Sequence, residues 1–227
     1  LFLDFEKNLE LSNFLSSKLS LNLQRVNNDT YLKVFQNNLV ESPLIPNDKD
    51  LMVSNINLDM DHEDFSLSTG IKVYENLGVK HSDRYQYVLP SYDFSKNLNA
   101  SNLNGSINFY SSGSNTLQNT NNLKTSIVND LEFNSEDYFS NLGFVNNYKV
   151  YFKNLNSVGK NDSNYKSSPS IDGMTIFEIF SSFPLIKAND LSDEILTPKI
   201  SLRANPVNNM IDHSSSNKVI TANNAFS

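Results

Sequence analysis

Apolar and polar residues alternate with period two along most of this 227-residue chain. That is the spacing of a β-strand, whose successive side chains point to opposite faces. Between residues 17 and 26, Leu19, Leu21 and Leu23 share one face and Ser20, Asn22 and Gln24 the other. Ile56, Leu58 and Met60 then oppose Asn55, Asn57 and Asp59. After the polar turn Asp61-His62-Glu63-Asp64, alternation resumes with Phe65, Leu67, Thr69, Ile71 and Val73 against Ser66, Ser68, Gly70, Lys72 and Tyr74, so residues 54–74 read as a long-armed hairpin.

The pattern returns at Ile107 and Phe109, and again at Leu123, Thr125, Ile127, Asn129, Leu131 and Phe133. The longest predicted strand runs from Ser140 to Lys153, with Leu142, Phe144, Tyr148, Val150 and Phe152 on one face. Extended, it would reach about 45 Å at roughly 3.3 Å per residue. Two further strands are expected around Met174–Phe183 and Leu196–Ala204, and no segment carries a helical period. Polar stretches at 36–50, 111–122, 156–170 and 205–218 read as loops, because Asn, Ser, Gly and Asp tolerate left-handed backbone and bond to their own main chain.

Long strands with one apolar and one uncharged polar face suit two settings. In a membrane-spanning barrel, alternate residues face lipid and a wet lumen. In a soluble β-sandwich or solenoid, each sheet has one solvated face. Three features favour the barrel: the strand length, the Asn/Ser polar face, and aromatic pairs expected near strand ends (Phe65 and Tyr74, Tyr138 and Phe139, Tyr151 and Phe152). The absence of Trp pulls the other way.

Composition sharpens this picture. The chain holds 36 Asn and 32 Ser, while charged residues make up only 19%. A surface normally carried by Lys and Glu is therefore largely uncharged. Net charge is -7, which argues against nucleic acid as a partner because phosphate binding requires a basic patch. With no Cys, a disulfide scaffold, a thiolate nucleophile and a Cys-ligated metal are excluded. No apolar run approaches the roughly 18 residues of a transmembrane helix. The chain opens inside a strand-like pattern, with neither an initiator Met nor a signal peptide, and reads as a fragment.

Three segments carry a resemblance: LSLNLQRVNNDTYLKVF (19–35), DRYQYVLPSYDFSKNL (83–98) and FPLIKANDLSDEILTPKISLRANPVNNM (183–210). In that order they resemble strands of the barrel of the LptD family, the outer-membrane lipopolysaccharide-assembly proteins, over about residues 17–227. The resemblance implies an all-β fold, an antiparallel up-and-down sheet of about nine or ten long strands forming part of a transmembrane barrel. Residues 1–227 would then be one incomplete barrel segment, lacking the periplasmic jellyroll and the closing strands. It also implies the work: lipopolysaccharide is received from a periplasmic LptA-type bridge and released into the outer leaflet, with an LptE-type lipoprotein plugging the lumen. Location in the outer membrane and contact with its lipid follow. No bond is broken, so no catalytic residue, cofactor or metal is expected, and the chain is not an enzyme. The other readings are a porin or receptor-type channel, and a surface-displayed soluble β-rich adhesin or binding module.

Candidate chemistry is sparse. Asp59, Asp61, His62, Glu63 and Asp64 could offer oxygen ligands to calcium, but the ligand order of a calcium loop is missing and the stretch reads as a solvated turn. His62, His81 and His213 share no metal-binding spacing, and no G-x-S-x-G elbow appears. Sequons at Asn28, Asn99, Asn104 and Asn161 are expected by chance in so Asn- and Ser-rich a chain. Arg25, Arg84 and Arg203 sit in strand-like segments among few other charges. They could contact lipid phosphates, though pairing with nearby carboxylates or marking a strand end is the favoured reading. Pro90, Pro184 and Pro198 remove ladder donors and belong at strand starts, bulges or an edge.

Overall fold

The computed structural model describes residues 1–36, 44–79, 83–188 and 193–208. His81, His213 and parts of the expected loops at 36–50 and 205–218 lie outside the described residues. The described chain is all-β. Its strands are β1 (Phe2–Asn8), β2 (Ser16–Gln24), β3 (Leu51–Asp61), β4 (Phe65–Asn76), β5 (Tyr85–Ala100), β6 (Gly105–Gln118), β7 (Asn122–Ser135), β8 (Tyr138–Phe139), β9 (Val145–Lys160), β10 (Ser170–Ser182), β11 (Leu185–Ala188), β12 (Asp193–Leu196) and β13 (Lys199–Asn208). Helix is limited to one turn at Tyr31–Val34 and a 3-10 turn at Ser101–Leu103. No helix among the described residues is long and apolar enough to cross a membrane, which has no bearing on strands.

Ten strands form one antiparallel sheet in the order β1-β2-β3-β4-β5-β6-β7-β9-β10-β13, so each strand pairs with its neighbour in sequence except where short strands intervene. The two-residue β8 pairs with β9, while β11 and β12 form a separate hairpin. Among the described residues the sheet is not closed into a barrel. Chain contacts divide it into two compact units, 1–96, 110–128 and 156–171 in the first, and 97–109, 129–155 and 172–227 in the second.

In the first unit, register converts the alternation into continuous rows. One face carries Phe5, Leu21, Ile56 and Ile71 side by side, and next to them Leu19, Leu58, Thr69 and Tyr92. The opposite face carries Glu6, Ser20, Asn57, Gly70 and Ser91, and also Lys18, Asp59, Ser68 and Asp93. A one-residue slip in any pair would mix the two sets, so the pattern specifies the register. At Ile71 the ladder shifts: Gly70 faces Ser91 but Lys72 faces Val88, leaving Leu89 and Pro90 in a bulge joined by a cis peptide bond. Pro184 precedes β11 and Pro198 precedes β13, so these prolines fall at a bulge and at strand starts.

A small core closes one end of this unit. The helical turn buries Leu32 against Met52 and Leu77, with Phe2, Val26 and Ile45 packed around them. The Leu77 amide donates to the Asp50 carbonyl at 2.7 Å, tying the ends of β3 and β4 together.

Several predicted boundaries move. The 111–122 loop is strand as far as Gln118, because sheet neighbours supply what its polar residues cannot. Thr125 donates to the Asn115 side chain at 2.7 Å, and the Tyr92 hydroxyl lies 3.0 Å from that of Ser111. The single strand at 140–153 is interrupted. Ser140 and Phe144 close a tight loop by a backbone hydrogen bond of 2.9 Å, with Gly143 at φ 87°. The strand therefore begins at Val145 and runs on to Lys160, taking residues 156–160 from the expected loop. This puts Tyr151 and Phe152 in mid-strand, away from the strand end expected of them.

Candidate functional site

The chemistry available to this chain lies in its surfaces. Among the described residues, the buried apolar side chains are Leu32, Met52, Leu77, Ala100, Phe133 and Leu155, whereas Phe5, Ile56, Ile71, Ile127, Leu131, Phe152, Phe177 and Leu202 are all exposed. Exposed apolar residues scattered singly are ordinary, but aligned across consecutive strands they form a face that requires an apolar covering. The polar face satisfies itself locally instead. Ser68 donates to Asp59 at 2.5 Å, Ser66 and Ser95 hydroxyls meet at 2.7 Å, and Lys18 pairs with Glu6 at 2.7 Å.

The second unit holds a cleft of about 410 Å³ lined by Ser135, Glu136, Tyr138, Asn146, Asn147, Tyr148, Phe177 and Ile179. Strand alternation builds its apolar wall. Tyr148 on β9 lies between Phe133 of β7 and Phe177 of β10, at ring-centroid distances of 5.5 and 6.5 Å. Ile179 is two residues further along β10, on the same face as Phe177 and opposite Leu202 of β13. Polar groups gather at the rim. The Tyr148 amide donates to Ser135 Oγ at 2.9 Å, and Asn147 Nδ2 donates to Asp137 Oδ1 at 2.8 Å. No Lys or Arg lines the cleft.

Arg84 is the most buried charged group described, with 6% of its surface exposed. Its two terminal nitrogens reach both carboxylate oxygens of Asp29, at 2.5 and 3.3 Å. Nε lies 2.9 Å from Glu75 Oε1 as an ion pair, at an angle too poor for a hydrogen bond. The same Glu75 oxygen accepts from the Tyr85 hydroxyl at 2.9 Å. The hydrogen bonds that the guanidinium donates to Asp29, assisted by the charges of both carboxylates, raise its pKa despite burial, which opposes the charge. Arg84 is thus spent on carboxylates within the chain.

Arg25 lies just past the end of β2, exposed, its backbone exchanging hydrogen bonds with Leu1. Arg203 lies on β13, exposed, opposite Glu178. Both Arg25 and Arg84 therefore stand at strand ends, not within strands. The acidic turn is also internally engaged: Asp61 accepts from Ser16 at 2.7 Å, and His62 Nδ1 accepts the Asp64 amide at 3.2 Å while its ring stacks on Phe65. Among the described residues no group of three His, Cys, Asp or Glu is placed to hold a metal ion. Of the sequon residues, Asn104 and Asn161 sit at positive φ in turns, and Asn28 caps Thr30 through its side chain.

Sequence reasoning missed the cleft. Alternation puts Tyr148 on the apolar side of its strand, but Ser135 and Glu136 border it only because β7 turns back through β8 into β9. A signal was present in the aromatic run Tyr138-Phe139, Phe144 and Tyr148, flanked by Glu136 and Asp137.

No protein-family model and no curated protein matches the chain.

Proposed function

We propose that this chain is a section of an outer-membrane β-barrel of the LptD type, which moves lipopolysaccharide into the outer leaflet. The observation that carries the reading is the apolar face, aligned in register from β1 to β5 and left uncovered, with a polar face behind it on which Asn and Ser stand beside a few charged residues. In a spanning barrel the first face meets lipid and the second a wet lumen, and strands of 9 to 16 residues such as β2, β5 and β9 are long enough to cross. The three segments resembling the LptD family supply the specific assignment. Under that reading the polar wall contacts an LptE-type lipoprotein, lipopolysaccharide arrives from an LptA-type bridge, and no covalent chemistry takes place.

The reading is tested by depleting the protein in the cell that encodes it, then following its membrane fraction and surface lipopolysaccharide. The expected result is outer-membrane fractionation and loss of newly made lipopolysaccharide from the surface. Unchanged surface lipopolysaccharide with reduced solute entry would establish the porin reading instead. Recovery of the folded protein in the soluble fraction would establish the adhesin reading.

A further inference from the structure

We propose that the cleft between β7, β9 and β10 in the second unit is a binding site for one acyl chain of a phospholipid with an amine headgroup. This rests on the membrane reading above and adds a ligand to it. The volume, about 410 Å³, falls within the roughly 300–1,000 Å³ of small-molecule sites. Tyr148, Phe177 and Ile179 make an apolar trough on the face that carries Leu202 and Phe133. Tyr138 and Tyr148 each combine an apolar ring with a hydroxyl, the side-chain type that sits where hydrocarbon gives way to water.

Charge at the rim selects the headgroup. Glu136 lines the cleft, Asp137 is held beside it by Asn147, and no cation is among the lining residues. A lipid carrying an ammonium group finds a counter-charge there. One with only phosphates, such as phosphatidylglycerol or lipid A, meets like charge at the carboxylates. The chain would therefore retain phosphatidylethanolamine at this site while leaving anionic lipids in bulk exchange.

The experiment uses the full-length protein carrying these residues, reconstituted into vesicles of equal parts phosphatidylethanolamine, phosphatidylglycerol and lipid A, then weighed intact by native mass spectrometry. The expected result is one retained phosphatidylethanolamine, enriched about fivefold over phosphatidylglycerol, the size of one partly exposed charge pair. Glu136→Gln should abolish the preference and Glu136→Lys reverse it, while Ile179→Trp, which fills the trough, should remove the retained lipid. Equal retention of both phospholipids, or a preference untouched by the Glu136 variants, overturns the site while leaving the barrel reading standing. Failure to insert into any of the vesicles overturns the barrel reading and the site together.

Discussion

Arg84 grips Asp29 across 55 positions of sequence, both terminal nitrogens meeting both carboxylate oxygens. The contact ties the β2–β3 connection to the start of β5, beside the Leu32–Met52–Leu77 cluster that closes the same unit. A guanidinium is suited to this because its planar fork engages two carboxylates at once and keeps its charge when buried.

Removing the guanidinium leaves Glu75 largely buried without its cation. Arg84→Ala should therefore destabilise by about 2 kcal/mol, below the 3–5 typical of fully buried pairs because Asp29 is half exposed. Arg84→Lys should recover less than half of this, since an ammonium cannot bridge both partners. The check is the midpoint of urea unfolding in detergent for the three proteins. Equal midpoints would show that the clasp contributes nothing measurable to stability.

Gly113 makes room for an aromatic ring. A Cβ there would lie 2.5 Å from Tyr92 Cε1 and 3.2 Å from Ile127, so Gly113→Ala should cost about 1–3 kcal/mol through overpacking. Because the obstacle is a side chain, Tyr92→Ala in the same protein should relieve most of the added strain. Gly70→Ala is the contrasting case: its Cβ meets the Ile56 carbonyl oxygen at 2.6 Å, and Asn57→Ala cannot remove backbone. Thermal unfolding of the four single and double variants tests the distinction.

Ile56 and Asn57 are adjacent on β3 but face opposite ways. If the apolar face meets hydrocarbon, Ile56→Lys should cost about 2–4 kcal/mol in vesicles, whereas Asn57→Lys on the wet side should be nearly neutral. Folding yield in vesicles, read by heat-modifiable gel mobility, distinguishes them. Two equally mild effects would contradict the lipid-facing assignment.

The acidic turn should ignore metal. Asp59, Asp61 and His62 already accept hydrogen bonds from Ser68, Ser16 and the Asp64 amide. Added calcium or EDTA should leave the unfolding midpoint of the protein unchanged, and a calcium-dependent rise would revive a cation site.

Strand alternation and the Asp61–Asp64 turn were legible in the residues, since period two and turn chemistry are local properties. So was the scarcity of helix, which among the described residues is limited to single turns. Local patterning failed at 111–118, where Tyr110-Ser111-Ser112-Gly113-Ser114 resembles a loop but is held as strand by partners on both sides. It failed again at Ser140–Phe144, where alternation continues through what is a turn, because a hydrogen-bonded loop can carry alternating residues without being extended.

What the sequence determined by itself is which side of each strand is apolar, because side-chain direction follows position along an extended chain. Only the tertiary structure decided what those sides meet: which residues stand in rows, that Arg84 faces Asp29, and that Glu136 borders Tyr148 and Phe177. Such pairings depend on register and on contacts between residues far apart in the chain, which no local pattern encodes.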